Sequence, residues 1–390
     1  MATDRDHDLV LLGATGFTGG LTAEYLARHA PTDLRWALAG RSLVKLERVR
    51  ARLVEIHPMY TDLPLLVADI SDPAQAETLA ASTRVLATTV GPYLEYGEPV
   101  VAACAKAGTD YLDITGEPEF MDRMYVAHHQ TAVESGARIV HACGFDSIPH
   151  DLGVYFTVTQ LPDDVPITVR GVVRAGGTPS GGTFASTLHA MSRPKQMREA
   201  MVARRQAEPR PQGRSSRAVA GKPHRDRLLG YWLLPLPTCD PMVVARSGAA
   251  LPAYGPKFRY SHFAGTKTLR YAGMGVAGVA AIGAAAQVGP LRRFLASKVP
   301  QGEGPDEARR AKSWFTVDFV AEAGDQTVRT RVSGGDPGYT ETAKMLAEAA
   351  MCLASDDNPP LAGVLTPAAA MGDALLPRLQ AAGIRFETRD

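Results

Sequence analysis

The chain is short of several things, and each shortage removes a class of protein. Only four of its 390 residues are cysteine: Cys104, Cys143, Cys239 and Cys352. They are scattered, with no C-x-x-C pair and no metal-ligand spacing. A disulfide scaffold and a bound metal are therefore not expected, and the four read as thiols in a reducing cytoplasm. The single asparagine, Asn358, precedes proline and cannot accept a glycan. Neither sign of charge is in excess: 42 Lys and Arg stand against 41 Asp and Glu, a net of +1. No global field for nucleic acid follows from that balance. The polar N-terminus gives way to a strand within ten residues, so no signal peptide is expected. No internal repeat is evident. Hydrophobic residues at 45% and charged residues at 21% are ordinary for a globular protein, and the length suffices for two domains.

What is present begins at residue 9. An apolar strand, Leu9 to Leu12, runs into glycines spaced by threes, Gly13, Gly16 and Gly19, and a helix patterned on Leu21, Tyr25 and Leu26 follows. This is the strand–turn–helix of a dinucleotide-binding fold. Gly13 allows the tight turn, Gly16 lets backbone approach a pyrophosphate, and Gly19 lets helix pack on strand. Backbone N–H groups around Thr15, Phe17 and Thr18, at the helix start, would hold the phosphates.

The next strand, Leu34 to Gly40, ends in Arg41-Ser42. A chain built for NAD usually places an acid here for the ribose 2′-hydroxyl. Arg41 suits a 2′-phosphate instead, so NADPH is expected over NADH. Asp69 closes the third strand. It either meets the adenine amine or caps a turn with Ser71 and Asp72. Gly91-Pro92 follows strand four, at the crevice where ligands of open sheets sit.

Strands and helices alternate to about residue 150, which predicts a mainly parallel Rossmann sheet covered on both faces. From 151 to 340 the pattern changes to a second α/β (α+β) domain with a mixed sheet. It includes a hairpin around Gly324 and a flexible loop from Gly176 to Thr183. Residues 341–390 are expected to be helices that return to the first domain.

Two stretches stand apart. Residues 193–227 hold eleven Lys or Arg against three acids, a net of +8, so the rest of the chain is net negative. Such a run is either a solvated loop or a dock for an anionic partner or membrane surface. Residues 271–291 carry no charge and approach the length of a membrane span, but are mostly Ala and Gly. They read as a buried or substrate-lining helix, a membrane-contacting helix, or a span.

Several segments together resemble the saccharopine-dehydrogenase-like superfamily, and within it the trans-acting enoyl reductases. They are Gly13 to Gly19, Ala39 to Ser42, Tyr111 to Glu117, Cys143 to Pro149, Gly334 to Tyr339 and Gly363 to Pro367. Residues 190–300 match nothing in that pattern. The resemblance implies a Rossmann domain with an α/β partner, NADPH as cofactor, and reduction of an enoyl thioester carried by a separate polyketide or lipid synthase. A cytoplasmic protein follows, with peripheral contact at the inner membrane face through 193–227 and 271–291 as an option and a dimer compatible.

Reducing an enoyl thioester requires a donor to the thioester oxygen and a proton for the α-carbon. Tyr93 and Tyr96, after strand four, either supply the donor or pack against the cofactor. Asp146, Ser147 and His150 lie at the mouth of the crevice. Asp146 or Ser147 instead caps the helix near Pro149, and His150 is either a proton donor or structural. Tyr339 and Thr340 are further candidates to line the cleft. No Y-x-x-x-K accompanies the fold, since Gly97 stands four after Tyr93, and this disfavours a short-chain dehydrogenase. The alternatives are a saccharopine-type amino-acid dehydrogenase and a non-catalytic NADPH-binding module on lipid surfaces.

Overall fold

A computed structural model describes residues 5–177, 187–297 and 304–390. Seven strands form the first sheet: β1 (His7–Leu12), β2 (Trp36–Gly40), β3 (Leu65–Val67), β4 (Thr83–Thr88), β5 (Asp110–Asp113), β6 (Arg138–Val140) and β14 (Gly363–Leu365). Their order is β14-β6-β5-β4-β1-β2-β3, and every neighbouring pair is parallel. Continuous apolar runs such as Leu9 to Leu12 are buried, as strands covered on both faces require. The covering helices are α1 (Phe17–His29), α2 (Leu43–Ile56), α3 (Pro73–Ala81), α5 (Glu98–Ala107) and α6 (Pro118–Ser135), with a short α4 (Tyr93–Tyr96) past β4. The strand order reverses between β1 and β4, and that switch point opens a crevice at the strands' C-terminal ends.

Helix α7 (Ile148–Val158) leaves the first sheet for the second. The second sheet runs β15-β13-β12-β7-β11-β10-β9, with β8 (Ser215–Ala218) also pairing β11. Its strands are β7 (Ile167–Gly176), β9 (His224–Arg225), β10 (Trp232–Pro235), β11 (Lys257–Thr266), β12 (Trp314–Ala323), β13 (Gln326–Gly334) and β15 (Arg385–Arg389). It is mixed: β7 and β11 run parallel, while β12 and β13 form the hairpin around Gly324. Residues 187–191 form a helical turn, α8, α10 spans Asp240–Ala250, and a short α13 spans Glu307–Arg310. The glycine-rich loop expected from Gly176 to Thr183 lies mostly outside the described residues.

The tail does more than return helices to the first sheet. Helix α14 (Thr340–Ser355) packs on α1 and β4, and α15 (Pro367–Ala381) packs on α7 and α14. Strand β14 borders β6 in the first sheet, and β15 borders β13 in the second. The last fifty residues therefore stitch the two sheets together.

The structure narrows the readings of both unusual stretches. The basic run is not one solvated loop, because it contains helix α9 (Pro194–Ala207). Arg204 is buried between Asp122 and Glu208. Arg193 pairs with Glu119, and Arg214 donates to the carbonyls of Gly248, Leu251 and Gly255. These cations are ties within the fold; Arg198, Arg205, Arg210 and Arg217 remain exposed. The uncharged stretch forms most of α11 (Leu269–Gln287), followed by α12 (Gly289–Ser297). It is not core: among its described side chains only Ala286 is buried. Nor is it a span, since no helix among the described residues is long and apolar enough to cross a membrane.

Candidate active site

One end of the crevice is built to receive phosphate. Gly13 has φ +88°, and a Cβ there would press on Thr89 Oγ1 and Val90 Cγ2. A Cβ on Gly19 would stand 2.1 Å from the Gly13 carbonyl oxygen, so α1 packs on the turn only because that side chain is missing. Gly16 is different. A Cβ there meets nothing closer than 3.4 Å, and the residue faces solvent beside exposed Thr15. The protein leaves this space open. Gly16 is also the N-cap of α1, with no side-chain cap and no acid in the first turn. The N–H groups at the helix start, Phe17 and Thr18 among them, and the positive dipole end are thus left for an anion. Helix α2 repeats the pattern. Its N-cap Ser42 makes no capping bond, its first turn has no acid, and Arg41 beside it is exposed. Two uncapped helix starts with an arginine at the second fit a dinucleotide carrying a 2′-phosphate.

Two residues assigned to this end turn elsewhere. Asp69 caps the turn with one oxygen, its Oδ1 accepting hydrogen bonds from the Ser71 amide at 3.0 Å and hydroxyl at 2.8 Å. The Phe17 ring packs edge-on against Tyr339 and lies under Arg310, so its part in anion binding is confined to its backbone. Thr340, next to Tyr339, bonds the same Arg310. Gly91 and Pro92 lie past β4 at the switch point. Glu117 holds the segment after them by accepting from the Tyr93 and Leu94 amides.

The other end is assembled by the turn after β6. Asp113, the last residue of β5, accepts from the Thr115 and Ala142 amides and lies 2.6 Å from His141 Nδ1. Ala142 sits at φ +62°, a left-handed conformation that a residue with a Cβ seldom adopts. The bend brings Asp146 back against β5's exit, where its Oδ2 lies 2.9 Å from the position a Gly116 Cβ would take. Behind it, His150 Nδ1 lies 3.0 Å from Asp240 Oδ1, and His262 Nε2 lies 3.6 Å from Asp240 Oδ2. All three of these side chains are buried. The Tyr260 hydroxyl pairs with His262 Nδ1 at 2.9 Å, and Thr238 donates to Asp240.

These contacts set the charges. Burial and the neighbouring Asp240 carboxylate push Asp146 up to about 7, with His150 opposing. Burial alone would also raise Asp240, but His150 and then His262 overcome it and hold the group below the usual carboxylate range. Burial would lower His150, and Asp240 reverses this and raises it. His262 is lowered by burial to about 4 and stays neutral. Ligand-type atoms of His150, Asp240 and His262 lie within 4.8 Å of one another, a spacing that also suits a metal ion. His150, raised by that same carboxylate, is the nearest basic group to the Asp240 charge.

Of the residues singled out for catalysis, Asp146 and His150 come together here. Tyr93 does not serve. It is buried, its hydroxyl donates to the Thr88 carbonyl and accepts from the Ile114 amide, and burial followed by Asp113 pushes its pKa well up. Tyr96 is 45% exposed. Ser147 occupies the N-cap of α7 without a capping bond, and its hydroxyl instead lies 3.8 Å from Cys239 Sγ. Capping therefore explains neither Ser147 nor Asp146. Sequence reasoning missed Asp240 and His262. Asp240 reads as an ordinary helix start before Pro241, and His262 sits in a strand with no motif around it.

Relationships to known proteins bear on the same geometry. Residues 9–140 match the family described as the saccharopine dehydrogenase NADP-binding domain. A Mycobacterium bovis protein named trans-acting enoyl reductase is 38% identical over 429 residues, covering 99% of this chain and 98% of its own. A Mycobacterium tuberculosis protein, given that name provisionally, is 41% identical over 421 residues with the same coverage.

The chain belongs to the trans-acting enoyl reductase family.

It is an oxidoreductase, and its cofactor is NADPH. Yeast saccharopine dehydrogenase (L-Glu forming) shares the fold of this trans-acting enoyl reductase family member, at TM-score 0.54 and 13% identity over 98% of this chain and 99% of its own. With NADPH on the two uncapped helices, the Rossmann rule leads the nicotinamide toward the ends of β4 and β5. Asp146 waits at β5, as a carboxyl that holds its proton near neutrality.

Proposed function

We propose that this protein reduces the carbon–carbon double bond of an enoyl thioester presented by a separate lipid or polyketide synthase. The observation that carries this reading is the kinship with named trans-acting enoyl reductases over 98–99% of both chains, second domain included. NADPH supplies the hydride. The protein's own groups manage charge and protons. As negative charge develops on the thioester oxygen, a donor is required there, and Tyr96 is the phenol left for that task. Asp146 delivers the proton to the α-carbon from its carboxyl, which burial and Asp240 keep protonated up to about pH 7. The His150–Asp240 pair holds that carboxyl's surroundings fixed. Exposed Arg198, Arg205, Arg210 and Arg217 offer a dock for an acidic carrier domain in the cytoplasm.

The test is NADPH oxidation followed at 340 nm, with enoyl groups carried on a soluble thioester and on a carrier protein. Turnover is expected on both, with the carrier-bound form faster at low salt. No oxidation with either substrate, from protein that binds NADPH, overturns the reading.

A further inference from the structure

Helices α11 and α12 pose a packing problem that the reductase reading does not solve. A helix that is apolar all round is normally buried in a core or a bilayer. Apart from Arg270, α11 carries no charged residue, yet of its described side chains only Ala286 is buried. Its main neighbours are β10, β11 and α12, and Gln287 near its end bonds the Met191 carbonyl. Leu269 and Tyr271 are 60% and 61% exposed, and Val288 and Leu291 continue the exposed apolar surface into α12. Around Gly273 and Gly278 no atom of the described residues lies within 4 Å of where a Cβ would stand.

Charge decides what would cover such a surface. From Pro241 through Gly302 the chain has no Asp or Glu. Lys267 and Arg270 flank one end of the uncharged stretch, Arg292 and Arg293 the other. A second copy of the chain would bring like charges onto this face. A neutral apolar partner would leave the cations unused. A surface with an apolar interior beneath anionic headgroups satisfies both features, and α11, unable to cross a bilayer, would lie in its plane.

We infer that α11 and α12 seat the protein on an anionic membrane surface, with the apolar side chains entering the headgroup region and the flanking cations meeting lipid phosphates. None of the residues named here was placed in the cofactor crevice, and the inference does not depend on which substrate is reduced.

The test is flotation of the full chain with vesicles of phosphatidylcholine containing 30% phosphatidylglycerol, and with phosphatidylcholine alone, at low and high salt. The protein should float with the anionic vesicles, and binding should fall at least tenfold on neutral ones. Tyr271→Glu with Leu291→Glu should abolish flotation, and Arg292→Glu with Arg293→Glu should weaken it most at low salt. NADPH affinity, measured on every variant, should stay at the wild-type value and so report an intact fold. Three results overturn the inference. One is no flotation of the wild type at any salt. Another is flotation untouched by the Tyr271/Leu291 pair, which would assign it to the basic run 193–227. The last is a wild-type dimer that the same pair converts to monomer, which would make the face a self-association surface.

Discussion

The two ends of the crevice are built on opposite plans. The phosphate end is open: its polar groups are backbone N–H at two helix starts, left uncapped beside glycine and an exposed arginine. The Asp146 end is crowded: Asp146 lies against Gly116, and His150, Asp240 and His262 are buried behind it. An open site of backbone donors binds a charge that arrives from outside. A crowded site of side chains alters the charges already there. The first plan needs only local sequence; the second needs three distant segments held in contact.

Substitution at two glycines three residues apart should separate ligand space from packing space most strongly. Gly16→Val fills space that no protein atom uses, so NADPH binding should be lost while the melting temperature stays at the wild-type value. Gly19→Val puts a side chain into the Gly13 carbonyl, and overpacking of that kind costs about 1–3 kcal/mol. Its melting temperature should fall. Calorimetry with NADPH titration checks both, and a Gly16→Val protein that still binds would mean the open space is not the pyrophosphate site.

At the crowded end, Asp146→Asn should lower kcat by about 10²–10⁴-fold, the range for a lost general acid, with NADPH affinity unchanged. The pH profile gives the sign. A donor carboxyl is active while protonated, so wild-type kcat should decline as pH rises through about 7. A profile flat from pH 6 to 8, or an equal loss of cofactor affinity in the variant, would remove Asp146 from the proton step.

A smaller effect is expected at the open end from Arg41→Ala. A charge-assisted hydrogen bond contributes about 1.5–3 kcal/mol, roughly 10- to 150-fold in affinity. The variant should lose most of its preference for NADPH over NADH, which paired titrations would read. The smallest effect belongs to the exposed basic surface. Arg198→Glu with Arg205→Glu should slow turnover of carrier-bound substrate at low salt and spare a soluble thioester. Arg204 is excluded from this test, because breaking its buried ties to Asp122 and Glu208 would destabilise the fold.

The reading of residues one at a time failed where a side chain had a nearer partner than the one imagined. Tyr93 was placed correctly after strand four, but its hydroxyl is consumed by Thr88 and Ile114. Asp69 stands at the expected strand end, with its Oδ1 taken up by Ser71. The uncharged stretch 271–291 has a core-like composition, yet of its described side chains only Ala286 is buried, because burial depends on what packs against a helix as much as on its own residues.

The sequence by itself determined the parallel sheet, the glycine turn, NADPH as cofactor, and an exposed Arg41 beside the start of the second helix. Each of these rests on neighbours within about thirty residues, where strand, turn and helix follow one another along the chain. The tertiary structure alone decided the Asp146 end. His150 comes from α7, Asp240 from the start of α10 and His262 from β11. No local pattern links residues 150, 240 and 262. What joins them is burial: beside His150 and His262 the buried Asp240 is held below the usual carboxylate range, and its charge in turn holds a proton on Asp146.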